Sequence, residues 1–341
     1  MENFVIRSEK IELSGYGNFL GSSKLKEIKI NQDNKSYKVI DGVMYTIDGK
    51  KIVIYPTGKE DEEYVVPDTV EEKCQSAFSY AENLKKVQIS TKVNSIKSRA
   101  FEGCLSLEEA YIGGENIGGQ SFYSCNNLKK VVLNNSTTNL DSVCFGRCSK
   151  LNEFIIESTE FKINGYRNFD GCSSLKQIEI GDNNKNYKVI DGVLYSEDTT
   201  KIILYPVGKD SEEYIIPDTV QEIGYAAFHD ADNITKVKIQ SSVKLVDQRA
   251  FENCKNLQKV EIDSNSIKTQ AFYNCGKLKD VKIGNNVTEI SHSIFGNCSG
   301  LMKITYDGKM EEWNNINKST GWKNGNNNLS EIECIDGIIN L

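Results

Sequence analysis

Ten cysteines in a chain of 341 residues are the first side chains that could do chemistry here, as thiolate nucleophiles, metal ligands or disulfide partners. Seven of them (Cys104, Cys125, Cys148, Cys172, Cys254, Cys275 and Cys298) each follow a phenylalanine by three residues. Evenly spaced single cysteines lack the paired Cys-x-x-Cys form of a zinc site. A small, readily buried side chain recurring in this way fits an interior column, with neighbouring thiols near disulfide distance. Cys74, Cys144 and Cys334 fall outside that column. The two histidines, His229 and His292, have no serine or cysteine partner at a spacing that suggests a nucleophilic triad. Paired carboxylates such as Glu62-Glu63 and Glu108-Glu109 sit among lysines, as a solvated face does, rather than as a glycosidase acid and base. Gly113-Gly114 and Gly118-Gly119 read as a turn and not as a phosphate loop. The expectation is a chain with no catalytic residue, no metal and no cofactor.

The elements that position these side chains follow from a duplication. Residues 4–153 align with 154–303 at a constant offset of 150, without a gap. Within each half a shorter unit recurs, Ala-Phe-x-x-Cys-x-x-Leu-x-x-Val-x-Ile, and such a period marks a solenoid. Its phenylalanines are Phe19, Phe78, Phe101, Phe122, Phe145, Phe169, Phe228, Phe251, Phe272 and Phe295. The Val-x-Ile alternation predicts a short strand with one buried face, and coils stacked about 4.8 Å apart make parallel sheets. Two longer steps, Phe19 to Phe78 and Phe169 to Phe228, hold β-hairpin inserts near 37–67 and 187–217, the first read as two extended segments, Val39–Tyr45 and Lys51–Pro56, around a polar turn with Asp48-Gly49. Their expected tips are Thr46–Lys50 and Ser196–Thr200. The predicted fold is thus a β-rich solenoid with a first array over 1–153, a second over 154–303 and a C-terminal cap over 304–341. Trp313 and Trp322, in that tail, are expected to bury against the last coil.

Composition narrows the function further. A net charge of −7 argues against nucleic acid, which is bound by concentrated Lys and Arg. No apolar run is long enough to insert in a membrane. The chain opens inside a repeat without a polar cap, so an export signal and further repeats are expected upstream.

The repeat motif resembles the BspA-type bacterial leucine-rich repeats. Asp191-Gly192-Val193-Leu194-Tyr195, followed by Tyr205-Pro206 and Ile216-Pro217-Asp218, is similar to an insert that recurs in that family. The tail with Tyr306-Asp307-Gly308, Trp313, Trp322 and Cys334-Ile335-Asp336-Gly337 resembles the segment that ends many members. The resemblance implies a secreted or surface-attached protein of a host-associated bacterium. It also implies binding of host or bacterial proteins, through the strand face or projecting hairpins. An extracellular or cell-surface location is therefore expected in preference to a cytoplasmic one. A structural spacer within a larger surface protein is the alternative.

One surface feature stands apart. The outward residue of successive main strands reads Lys29, Gln88, Tyr111, Val132, Ile155, Glu179, Lys238, Glu261, Lys282 and Thr305. Tyr111, Val132 and Ile155 interrupt a polar series, flanked by Glu109, Lys130 and Glu153. Such an apolar patch with charged borders is the candidate protein-binding site.

Overall fold

The computed structural model describes residues 2–13, 19, 22–73 and 75–341. Cys74 and residues 14–18 lie outside the described residues. Two compact units are present, 1–186 and 187–341. The sequence repeat restarts at residue 154, yet strands Glu153–Ile156 and Glu179–Ile180 extend the first unit's sheet. Repeat boundaries and packing units need not coincide.

A typical coil of the first unit contains a four-residue strand, a two-residue strand and a run of turns. Lys130–Leu133, Asn139–Leu140 and the turns around Phe145 are one example. β-Branched residues at alternate positions favour the strand, and its second and fourth side chains point inward. The long strands form a six-stranded sheet in spatial order Glu63–Val65, Lys86–Ile89, Glu109–Ile112, Lys130–Leu133, Glu153–Ile156, Glu179–Ile180. Every pairing within it is parallel. The short strands stack into a second sheet.

Between the sheets the phenylalanines touch in sequence. Ring centroids are 4.7 Å apart for Phe78–Phe101, 4.9 Å for Phe101–Phe122 and 5.3 Å for Phe122–Phe145. All four are fully buried. The turn that carries each ring uses left-handed residues two before and two after it: Gln120 and Ser124 around Phe122, and Val143 and Arg147 around Phe145. That pair of left-handed residues lets a coil reverse tightly enough to repeat at the sheet spacing.

The inserts are β-hairpins with one strand more than expected. Val39–Tyr45 is not a single extended segment: it reverses at Asp41-Gly42, with φ of 49° and 77°. Two successive positive φ values are what a two-residue hairpin turn of the primed type needs. The result is an antiparallel meander of Tyr37–Ile40, Val43–Thr46 and Lys51–Ile54. It does not project. Lys51–Ile54 joins the short-strand sheet in parallel beside Glu72–Lys73, and the other two strands extend that sheet to its edge. Tyr45 and Tyr64 hydroxyls, 2.5 Å apart, tie the meander to the first long strand.

The second unit repeats this plan. Tyr187–Ile190, Val193–Ser196 and Lys201–Leu204 form its meander, turning at Asp191-Gly192, and the Tyr195 and Tyr214 hydroxyls lie 2.8 Å apart. Its rings stack from Tyr205 through Phe228, Phe251 and Phe272 to Phe295. The tail adds a further strand to each sheet, Glu331–Cys334 and Asn317–Lys318, before Gly337–Asn340 folds back antiparallel. Helix Met310–Asn315 places Trp313 against Tyr306 at 5.3 Å and against Trp322 at 5.8 Å, so both tryptophans are buried at this end.

Candidate functional site

The thiols form the predicted interior columns, and their role there is local. Each Sγ donates to the carbonyl of the phenylalanine in the preceding coil. Cys104 reaches Phe78 at 3.1 Å, Cys125 reaches Phe101 at 3.1 Å, and Cys148 reaches Phe122 at 3.2 Å. Cys254, Cys275 and Cys298 do the same in the second unit at 3.1 to 3.2 Å. Cysteine suits this place because it is small enough for the column and still offers a weak donor. Burial pushes the Cys104, Cys148 and Cys275 thiols well up, which holds them as donors rather than nucleophiles.

Other chemistry-bearing residues are similarly occupied. Glu62 pairs with Lys85 at 2.5 Å and Glu108 with Lys129 at 2.7 Å, each across adjacent coils. His229 is buried, with Nε2 3.3 Å from a Glu252 carboxylate oxygen and 3.3 Å from the Asn253 side-chain amide. The sequence hid this polar cluster because its members lie one coil apart. At Gly113 a Cβ would fall 2.5 Å from the Ile89 carbonyl oxygen, so a side chain here would require the local backbone to shift.

The residues singled out on the strand face come together. Register pairs Gln88 with Tyr111, Tyr111 with Val132, Val132 with Ile155 and Ile155 with Glu179, one strand after another. Glu109, Lys130 and Glu153 form the neighbouring column in the same register. Lys130 Nζ lies 2.9 Å from Glu153, whose bond and charge hold the ammonium above its usual pKa. The Tyr111 hydroxyl donates to Glu109 at 3.0 Å, and Lys86 sits 5.4 Å over the Tyr111 ring. Burial, with that bond to Glu109, raises the Tyr111 phenol.

Of these, Tyr111, Lys130, Val132 and Ile155 line an open groove of about 460 Å³, together with Gln88, Asn134 and Glu157. Val132 forms part of its apolar floor at 8% exposure, with Tyr111 and Ile155 half-buried beside it. The sequence reading passed over Asn134 and Glu157, which lie two residues beyond Val132 and Ile155. It also passed over Val65, the edge residue paired with Gln88 and 61% exposed.

The second unit supplies an internal comparison. The same column there reads Ile215, Lys238, Glu261, Lys282, Thr305. Lys282 Nζ lies 2.8 Å from Asp307 and Lys259 Nζ 3.0 Å from Glu261, so ion pairs cross the face where the first unit is apolar. Asp263 occupies the place of Gly113 and accepts two hydrogen bonds from the Asn286 amide.

The fold and this open face define a leucine-rich-repeat solenoid. A family model described as the BspA-type leucine-rich repeat region, in six copies, matches residues 59–117, 113–204 and 208–318. The chain belongs to that family. Among solved structures, the pneumococcal vaccine antigen PcpA matches with a TM-score of 0.60 at 19% identity, over 89% of this chain and 88% of that one. A leucine-rich repeat protein from Eubacterium ventriosum matches with a TM-score of 0.57 at 21% identity, over 87% and 77%. Another from Bacteroides ovatus matches with a TM-score of 0.53 at 22% identity, over 96% and 86%. These likenesses establish the fold. No curated protein matches the chain. Among the described residues no helix is long and apolar enough to cross a membrane.

Proposed function

We propose that this is a non-catalytic, extracellular or cell-surface recognition module that binds a partner protein through the strand face around Tyr111, Val132 and Ile155. The observation that carries the reading is the contrast between the two units. Both use one coil geometry, and the second fills the same column with Lys238, Glu261, Lys282 and Thr305. Strand geometry therefore accepts charged residues at these positions, and β-propensity alone does not account for the apolar ones. An apolar, open groove with a charged border is the anatomy of a contact site. The description of one fold relative as a vaccine antigen supports display at the surface.

The ion-paired face of the second unit is what a spacer would present, so a spacer role is the competing reading. Solid-phase binding of the whole chain to a panel of extracellular-matrix and bacterial surface proteins separates the two. The recognition reading predicts binding that is lost in the double variant V132K/I155K while the melting temperature stays nearly constant. Binding that survives both substitutions would place recognition elsewhere on the molecule, and a panel with no ligand would favour the spacer.

A further inference from the structure

We infer that the occupant of this groove is an extended segment of a partner protein in which apolar side chains adjoin a lysine or arginine, the cation pairing with Glu157. The inference rests on the proposed recognition role and adds the chemistry of the ligand. Its basis is the place of Glu157 in the repeat. Val132 pairs with Ile155, and Glu157 follows Ile155 by two residues. In the second unit Lys282 pairs with Thr305, and Asp307 follows Thr305 by two residues. There the Lys282 ammonium sits 2.8 Å from the Asp307 carboxylate. The first unit keeps the carboxylate but has valine where the lysine stood. Among the described residues Glu157 has no ion pair or side-chain hydrogen bond, and it lies exposed at the groove edge.

Of the charged side chains that line the groove, Lys130 is already matched, held by Glu153. At the far end Lys86 and Glu109 both attend Tyr111. Among the described residues Glu157 is the groove-lining charge without a partner, and it stands at one end of the apolar stretch. The strands of Tyr111 and Ile155 are separated by about 10 Å, two sheet spacings. Alternate side chains of an extended segment share a face and are about 6.8 Å apart, so two apolar groups cover that span and the next side chain on the same face reaches the carboxylate. A cation arriving there takes the position that Lys282 holds in the other unit.

The test is selection of a displayed library of short random peptides on the whole chain, with V132K/I155K, E157Q and E157K as counter-screens. The expected peptides carry two apolar residues and a Lys or Arg at alternate positions. They lose binding to V132K/I155K and bind E157Q about fivefold more weakly, as removal of a partly exposed ion pair would. Binding to E157K falls further, and salt weakens wild-type binding but not the residual binding to E157Q. If peptides depend on Val132 and Ile155 yet show no basic residue and ignore E157Q, the inference fails and the recognition site stands. If no selected peptide depends on Val132 and Ile155, both fail. A concentration-dependent dimer abolished by V132K/I155K would give the groove to a second copy of this chain and overturn the inference.

Discussion

Phe122→Ala isolates the ring ladder from everything else the coil does. The side chain is fully buried, with Phe101 4.9 Å away at an interplanar angle of 5° and Phe145 5.3 Å away at 12°. Truncating a buried phenylalanine costs about 3–5 kcal/mol, and the value rises when the cavity does not collapse. Here it does not. Parallel strands on either side hold the coils at their spacing, so neither neighbouring ring moves into the gap. The expected loss is therefore about 4–5 kcal/mol. In a repeat array the damage is shared with the adjacent coils before it spreads. Native-state amide exchange is accordingly the better assay than a single unfolding midpoint. Exchange should accelerate in Glu109–Ile112, Lys130–Leu133 and Glu153–Ile156, and remain unchanged in Lys259–Ile262 of the second unit. A loss below about 1 kcal/mol would mean that a buried ring of this size contributes far less than its burial implies, and the stacking argument would be refuted.

Val143 holds φ at 59°, a left-handed conformation that costs a β-branched residue about 1–2 kcal/mol. Val143→Asn should raise stability by about 1 kcal/mol in urea titrations, and a lowered midpoint would count against the turn geometry. Burial raises the phenols of Tyr55, Tyr64, Tyr205 and Tyr214, Tyr205 to about 12. A phenol whose folded pKa is raised favours the folded state up to its unfolded value, so stability should hold below pH about 10 and fall as pH climbs beyond it. Denaturant midpoints measured against pH, with tyrosinate absorbance, check this; a flat profile to pH 12 would oppose it. The column thiols should resist alkylation in the native chain and react together on unfolding, and rapid native labelling of Cys125 or Cys275 followed by mass spectrometry would contradict their placement.

Much of this fold was legible because its period is. Once like residues recur at coil intervals, Phe101, Phe122 and Phe145 can hardly do other than stack, and the cysteines beside them must follow. The strand-face column was equally readable, since Tyr111, Val132 and Ile155 share one position in the unit. What escaped notice lay off the period. The Asp41-Gly42 reversal was masked by Ile40 and Val43, whose β-propensity made one strand of two. Val65 and Ile215 belong to edge strands fed by the inserts and do not follow the phenylalanine spacing. Glu157 sits just past a strand end, and it gains meaning only when set beside Asp307 and the lysine that neutralises it. The neighbours of His229 come from the next coil, where no local pattern announces them.

The most direct test transplants the second unit's column into the first, as Tyr111→Glu, Val132→Lys and Ile155→Thr in one chain. The same coil geometry already carries these residues at Glu261, Lys282 and Thr305, so the fold should tolerate them. Binding to any protein captured by the wild-type chain should disappear while thermal unfolding is preserved. Undiminished binding by the folded triple variant would place recognition elsewhere on the molecule.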